Sequence, residues 1–298
     1  MQTRAIGFAA MAVAAAAGVV LGGCTSAPPG APEQAPRAES SPAALLGGLS
    51  RWHLTLPTSA ARQAFPADPI DQPELATYTS EWFKLNEAKT AVLFITNVGG
   101  ATTSAGTAFA RTELRERDAR GEKSAWDCMN AVRSMTIRQR ILQSPRHKAE
   151  MSVGQIHDAK SDNLEIFYKG PSAAANGLTD TGRMFAKFNG ESLAASPLLD
   201  DSYRLGDMMQ VRVSTRAGVV TVDYRNERSG KVSTASAPLK GATGGCFFKA
   251  GNYPQACTKV NVYGVTNPNC SRKTYPPEWF ETDPHATAVL EIHSLALD

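Results

Sequence analysis

The sequence predicts an all-β sandwich of antiparallel strands. Three observations carry that expectation. Short runs rich in Val, Ile, Thr, Phe and Tyr recur along the chain, clusters of Gly, Asn, Asp and Pro punctuate them, and long helical periodicity is scarce. In order, the expected strands are 52–56, 91–96, 134–142, 150–157, 164–168, 210–215, 219–224, 246–252, 259–266 and 288–297. Turn signals separate them at Asn97-Val98-Gly99-Gly100, Ser161-Asp162-Asn163, Asn176-Gly177, Arg216-Ala217-Gly218 and Ser229-Gly230. Short helices fit 43–49 and 73–78. The stretch 267–283 holds Pro268, Pro276 and Pro277 and reads as a long loop. Many short strands with regular turns suit a sandwich or jelly roll. No internal repeat and no second-domain linker is visible.

The first 44 residues stand apart from this pattern. Arg4 supplies a positive start, Ala5 to Leu21 form an apolar run, and Leu21-Gly22-Gly23-Cys24 closes it. That is the layout of an export signal, and its ending resembles the lipobox of bacterial lipoproteins. The resemblance implies cleavage before Cys24 and acylation of that cysteine. Residues 1–23 are therefore expected to be a lipoprotein signal peptide. The protein is expected as an exported lipoprotein, anchored to the outer membrane or cell surface through Cys24 alone, and otherwise periplasmic or extracellular. Residues 24–44 are rich in Pro, Ala and Ser with no apolar period, so they read as a semi-extended tether. Residues 45–298 remain for one domain, a length that an all-β fold commonly reaches.

Composition narrows the function. With 42% hydrophobic and 20% charged residues the body is an ordinary globular chain. A formal charge of +3 is far from the signature of a nucleic-acid binder, and it is compatible with an anionic substrate. Four cysteines remain besides Cys24: Cys128, Cys246, Cys257 and Cys270. An even set in an exported chain favours disulfides, with three connectivities open. No CxxC pair supports zinc.

The alternation of side chains is more informative. In a strand, residues two apart share a face. In the segment 111–115, Arg111, Glu113 and Arg115 fall on one side. In 155–157, Gln155 and His157 share a face. In 247–255, Lys249, Tyr253 and Gln255 do, with Gly251 between them. A solvated sheet face carries polar residues as a matter of course, so alternation alone assigns nothing. The chemical mix is what stands out. Arginine forks match carboxylates, amides donate without adding charge, and His and Tyr can move protons.

Read together, RTELR (111–115), QIH (155–157) and FFKAGNYPQ (247–255) resemble the strand motifs of polysaccharide lyase family seven, the alginate lyases. The resemblance extends through WHLTLP (52–57), GGATTSAGTAFARTELRE (99–116) and VLEIHSLAL (289–297). One departure is Phe247, where the family usually has Tyr. Another is His53, at a position that varies in the family. The resemblance implies a β-jelly roll of two antiparallel sheets with a concave substrate groove. It also implies β-elimination on a 1,4-linked uronate polymer, without metal or cofactor, by a monomer. On that reading Arg111, Gln155 and His157 neutralise the uronate carboxylate. Tyr253 is the acid, and also the base when proton and leaving group lie on one ring face. His157 is the base when they lie on opposite faces. Glu113, Arg115, Lys249 and Gln255 bind substrate, with Glu113 fixing the arginine forks. Nearby cations are expected to lower the Tyr253 pKa. Ile156 in the middle motif leans the expectation toward guluronate-containing blocks.

Three rivals remain open at this point. A non-catalytic sugar-binding jelly roll would not need His157 and Tyr253 together. A hydrolase needs two facing carboxylates; this face offers Glu113 alone, and Asp158 and Glu165 are candidates elsewhere without an E-x-D-x-x-E strand motif. A lyase on another polyuronate, such as glucuronan, would use the same chemistry.

Overall fold

The computed structural model describes residues 41–171, 180–240 and 245–298. Cys24, the export signal and the turn expected at Asn176-Gly177 lie outside the described residues. In chain order the elements begin with a one-turn helix α1 (Pro42–Leu45), then β1 (Trp52–Thr55), β2 (Pro69–Ile70), β3 (Phe83–Leu85), β4 (Val92–Asn97) and β5 (Thr112–Glu116). Next come β6 (Arg133–Gln143), β7 (Glu150–His157), β8 (Asp162–Lys169), β9 (Thr181–Phe188) and β10 (Leu198–Arg204). The chain continues with β11 (Met209–Arg216), β12 (Val219–Asn226), β13 (Val232–Pro238), β14 (Phe247–Pro254), α2 (Pro268–Ser271) and β15 (Thr287–Leu297).

The strands form two antiparallel sheets. One has the order β10-β9-β8-β7-β14-β5-β1-β2, the other β13-β12-β11-β6-β15-β4-β3. Their facing sides make one apolar core. Leu54, Leu114, Ile156, Phe248 and Ala250 contribute from the first sheet; Phe94, Ile137, Val211, Val222 and Leu290 contribute from the second. In β11 and β12, apolar inward positions alternate with exposed outward ones, as expected of a sheet with one wet face. The strands β7, β8 and β14 differ, being buried on both faces along most of their length. Their outward side chains, mostly polar with Phe247 among them, cover one another.

Polar ties through the core fix the strands that matter below. The Asn252 amide on β14 donates to the carbonyls of Phe94 and Ala288 in the opposite sheet, at 2.9 and 2.8 Å. Thr112 on β5 donates to the Ile95 carbonyl at 2.6 Å. Such ties hold β5 and β14 in register across the sandwich.

Several expectations shift. The segment 259–266 is not a strand. Asn261 accepts from the amides of Tyr263 and Val265, both at 2.9 Å, and this turn chemistry overrides the local β-formers. Residues 41–44, tether by composition, already pack: Ser41 caps α1 and Ala43 is buried in the core. The cysteines pair as Cys128–Cys246 and Cys257–Cys270.

Candidate active site

Strand order places β14 between β7 and β5. In register, Lys249 lies opposite Gln155 on one side and Arg115 on the other, Gly251 lies opposite Glu113, and Tyr253 lies opposite Ser152. The neighbours Leu114, Ile156 and Ala250 point into the core. Arg111, Glu113, Arg115, Gln155, His157, Lys249 and Tyr253 therefore share the outer face of the eight-stranded sheet. Gly251 has φ +140, and a Cβ there would meet the Thr112 carbonyl oxygen at 2.6 Å. The glycine is needed for close approach of β5 itself, rather than for approach of a ligand.

Glu113 is the hub of this face. Its carboxylate is buried, accepts from Arg111 Nη1 at 2.8 Å and from the Gln155 amide, and lies 3.6 Å from Lys249 Nζ. Burial pushes the Glu113 carboxyl up, but Lys249, Arg111 and the two hydrogen bonds together outweigh it and hold it below the ordinary range. Lys249 shows the reverse balance. Burial dominates, Glu113 opposes it, and the ammonium is pushed down to about 8. Around this hub, Arg111 Nε, Gln155 Oε1 and Ser152 Oγ are buried without a partner among the described residues. Unmatched buried polar atoms are costly unless a ligand completes them.

The proton-transfer candidates flank the hub. The Arg111 guanidinium lies 3.6 Å over the Tyr253 ring, and Phe109 packs edge-on against the same ring at 6.2 Å. Burial raises the Tyr253 hydroxyl to about 12, with Arg111 opposing. The cations expected to lower it thus lose to desolvation in the free groove. His157 Nδ1 contacts the Asp158 carbonyl. A carbonyl only accepts, so Nδ1 carries the proton and Nε2 keeps its lone pair. Burial, then Lys249, lowers the His157 pKa, while Asp162, 3.2 Å from Nε2, opposes. The imidazole stacks on Phe247 at 5.5 Å, and the Arg115 guanidinium lies 3.8 Å over the same ring.

A solved structure described as the alginate lyase AlgAT5 from polysaccharide lyase family 7 is 30% identical to this chain, with a TM-score of 0.66 over 87% of this chain and 98% of that one. An alginate lyase from Corynebacterium sp. is 25% identical, with a TM-score of 0.67 over 88% and 99%. The alginate lyase A1-II′, crystallised as a variant in complex with substrate, shares the fold at 20% identity and a TM-score of 0.62 over 88% and 97%. No curated protein matches the chain. The family model for alginate lyases matches residues 48–272. The chain belongs to the alginate lyase family.

In this alginate lyase the residues expected from the motifs do not all play alike in the geometry. Glu113 fixes one arginine fork, that of Arg111; Arg115 is held instead by Phe247 and by the Glu116 carbonyl at 3.3 Å. Gln255 lies just past β14, its amide on the Tyr253 carbonyl at 3.4 Å, apart from the charged hub. Several neighbours carried no motif signal. Asp162, Ser152 and Glu165 lie on strands whose outward positions read as ordinary wet-face residues. Phe109, Tyr275 and Phe280 cluster with the Cys257–Cys270 disulfide beside Tyr253. That disulfide, whose pairing sequence left open, brings the 267–283 loop to the site together with the side-chain amides of Asn267 and Asn269, which donate to the carbonyls of Ala108 and Thr107 at 3.0 and 3.1 Å. Among the described residues no group of carboxylates, histidines or cysteines is arranged to hold a metal ion.

Proposed function

We propose that this alginate lyase cleaves its 1,4-linked uronate substrate by β-elimination at the Glu113 hub, leaving 4,5-unsaturated ends. The observation that carries the reading is the buried cationic pair Arg111 and Lys249 around Glu113, with the Arg111 Nε donor still unmatched among the described residues. The C5 proton of a uronate is very weakly acidic, because its removal adds charge beside a carboxylate. Arg111 and the remaining amide hydrogen of Gln155 hold that carboxylate. Preorganised donors of this kind each contribute about 10²–10³ in rate.

His157 takes the C5 proton on its unprotonated Nε2, which the sugar reaches alongside the Asp162 carboxylate 3.2 Å away. Its lowered pKa keeps the imidazole neutral and ready near pH 7. Tyr253, raised to about 12, holds its proton and donates it to the bridging oxygen as the C4–O bond breaks. Proton removal and leaving-group departure then occur on opposite ring faces, as in guluronate. For Tyr253 to act as the base as well, as mannuronate requires, its pKa must fall from about 12 to near neutral, about 7 kcal/mol of differential stabilisation. That difference supports a preference for guluronate-containing blocks. Ile156 supports it only indirectly, since it is buried in the core behind the site.

The test is the rise of unsaturated-product absorbance on poly-guluronate and poly-mannuronate. His157→Ala should abolish turnover on the first, and Tyr253→Phe on both. Near-full activity of either variant on poly-guluronate refutes its role.

For cellular placement we infer, from the sequence of residues 1–44, an exported protein held to a membrane surface by lipid on Cys24. The mass of the mature N-terminus tests this: an unmodified residue other than Cys24 excludes it.

A further inference from the structure

At the far end of β5 from Arg111 lies a second cationic site that the catalytic reading leaves unexplained. A cavity of about 530 Å³ opens there, lined among others by Arg51, Asp118, Arg120, Lys123, Trp126 and Arg133. Its size falls within the range of small-ligand pockets. Beneath it sits Glu116, fully buried. That carboxylate accepts from Arg51 Nη2 at 3.0 Å, Arg133 Nη2 at 2.7 Å, Trp126 Nε1 at 2.9 Å and the Phe248 amide at 2.9 Å. Four donors saturate it. Two guanidinium groups from opposite sheets, one preceding β1 and one opening β6, are thus pinned to a single acid.

The remaining charges do not cancel this surplus. Asp118 is occupied by the Arg120 side chain and by the amides of Arg120 and Glu122. Lys123 has no ion pair among the described residues. The Nε atoms of Arg51 and Arg133 are buried and without partners among the described residues. Two arginines share one carboxylate, and a free lysine stands at the rim beside a half-buried indole. Arginine forks recognise carboxylates, and an indole offers an apolar face to a sugar ring.

We propose that this pocket is a second binding site for the anionic saccharide, taking a uronate unit of an alginate chain outside the catalytic groove. Six residues of extended strand, about 20 Å, separate Arg111 from Arg117. Arg115, which has no carboxylate partner among the described residues, lies on the outer face between the two sites, while Arg117 beyond it is paired with Asp71 at 2.6 Å. A chain held in the pocket stays near the groove between cleavage events.

The test is titration calorimetry of the Tyr253→Phe protein with a size-defined saturated alginate oligosaccharide, with and without Arg120→Glu and Lys123→Glu. Both of these side chains are at the rim and outside the Glu116 cluster, so the fold is expected to survive, as checked by thermal unfolding. The expected result is two binding events, the second weakened about tenfold or lost in the double variant. In the otherwise unaltered enzyme, the same two substitutions should raise KM for polymer and leave kcat on a trisaccharide within about twofold. A single binding event before substitution overturns the proposal. So does a second event indifferent to the substitutions, or one displaced by millimolar inorganic phosphate as readily as by the saccharide, which marks a simple anion site.

Discussion

Replacing Glu113 by Gln keeps the shape of the hub and removes its charge. In the native site Glu113 lies 3.6 Å from Lys249 Nζ. At an effective dielectric of about 20, unit charges at that separation attract by about 4–5 kcal/mol. One tenfold change in proton affinity is about 1.4 kcal/mol, so the loss corresponds to roughly three orders of magnitude. Lys249 already sits at about 8 through burial. Without Glu113 its ammonium cannot persist at pH 7, and the variant groove meets its substrate with a neutral lysine. The incoming uronate carboxylate then has to restore that charge by drawing in a proton. Two measurements follow. The rate of unsaturated-product formation should give a kcat/KM lower by about 10²–10³ at pH 7, recovering in part as the pH is lowered. Calorimetry in buffers of different ionisation enthalpy should show uptake of about one proton on binding, where the native protein takes up little. A kcat/KM within about threefold of the native value, with an unchanged pH slope, refutes the role given to Glu113.

Other consequences are more compact. The depressed Lys249 pKa means that between about 8 and its unfolded value of 10.5 the unfolded chain binds more protons than the fold, so stability rises with pH in that window by up to about 3 kcal/mol. Activity should fall over the same range, and thermal unfolding with parallel rate measurements checks the opposed trends. Burial, then Arg117, lowers His53 from 6.5 to about 4. Stability should therefore fall by up to about 3 kcal/mol as pH drops through that interval, a loss that His53→Gln removes in acid denaturation curves. Gly251→Ala forces a side chain into a left-handed backbone against Thr112, and should destabilise the fold by about 1–3 kcal/mol in urea titrations. Replacing both Cys257 and Cys270 by Ser opens a loop closed at a separation of 13 residues. The expected loss is up to about 3 kcal/mol, and KM should rise as Tyr275 and Phe280 leave Tyr253.

The sheet was legible where burial was strongest. Strands β6, β7, β11, β12 and β15 are long and carry Val, Ile and Leu at inward positions, and each coincides with an expected run. The four edge strands β2, β3, β10 and β13 carried no readable signal, and the interior strand β9 was missed as well. Edges are short or polar because half their pairing groups face water and must not recruit another chain. VSTASAP in β13 has little apolar content to read. The site was legible as residue types and faces, since period-two alternation survives tertiary context. Its partnerships were not. Nothing local shows that Glu113 holds Arg111 and Gln155 and leaves Arg115 to an aromatic ring. Those choices depend on register across β7, β14 and β5, set by contacts far apart in sequence.

An acid at the centre of a site for a polyanion looks misplaced until the desolvation of its neighbours is weighed. Arg111 and Lys249 are both nearly buried. Left alone, a buried lysine sheds its proton, and the site would lose the charge it needs. Glu113 keeps Lys249 charged before substrate arrives. With substrate bound, Arg111 and Lys249 face two carboxylates, and the hub is balanced. Abstraction of the C5 proton adds negative charge to the sugar, and in the proposed reaction it adds an equal positive charge to His157. Asp162, 3.2 Å from Nε2, is placed to stabilise that imidazolium. Charge thus separates between a carboxylate-binding hub and a carboxylate-backed imidazole, both supplied by fixed strands. A net charge of only +3 over the whole chain is no obstacle to this, because the reaction depends on which charges are buried side by side and not on their sum.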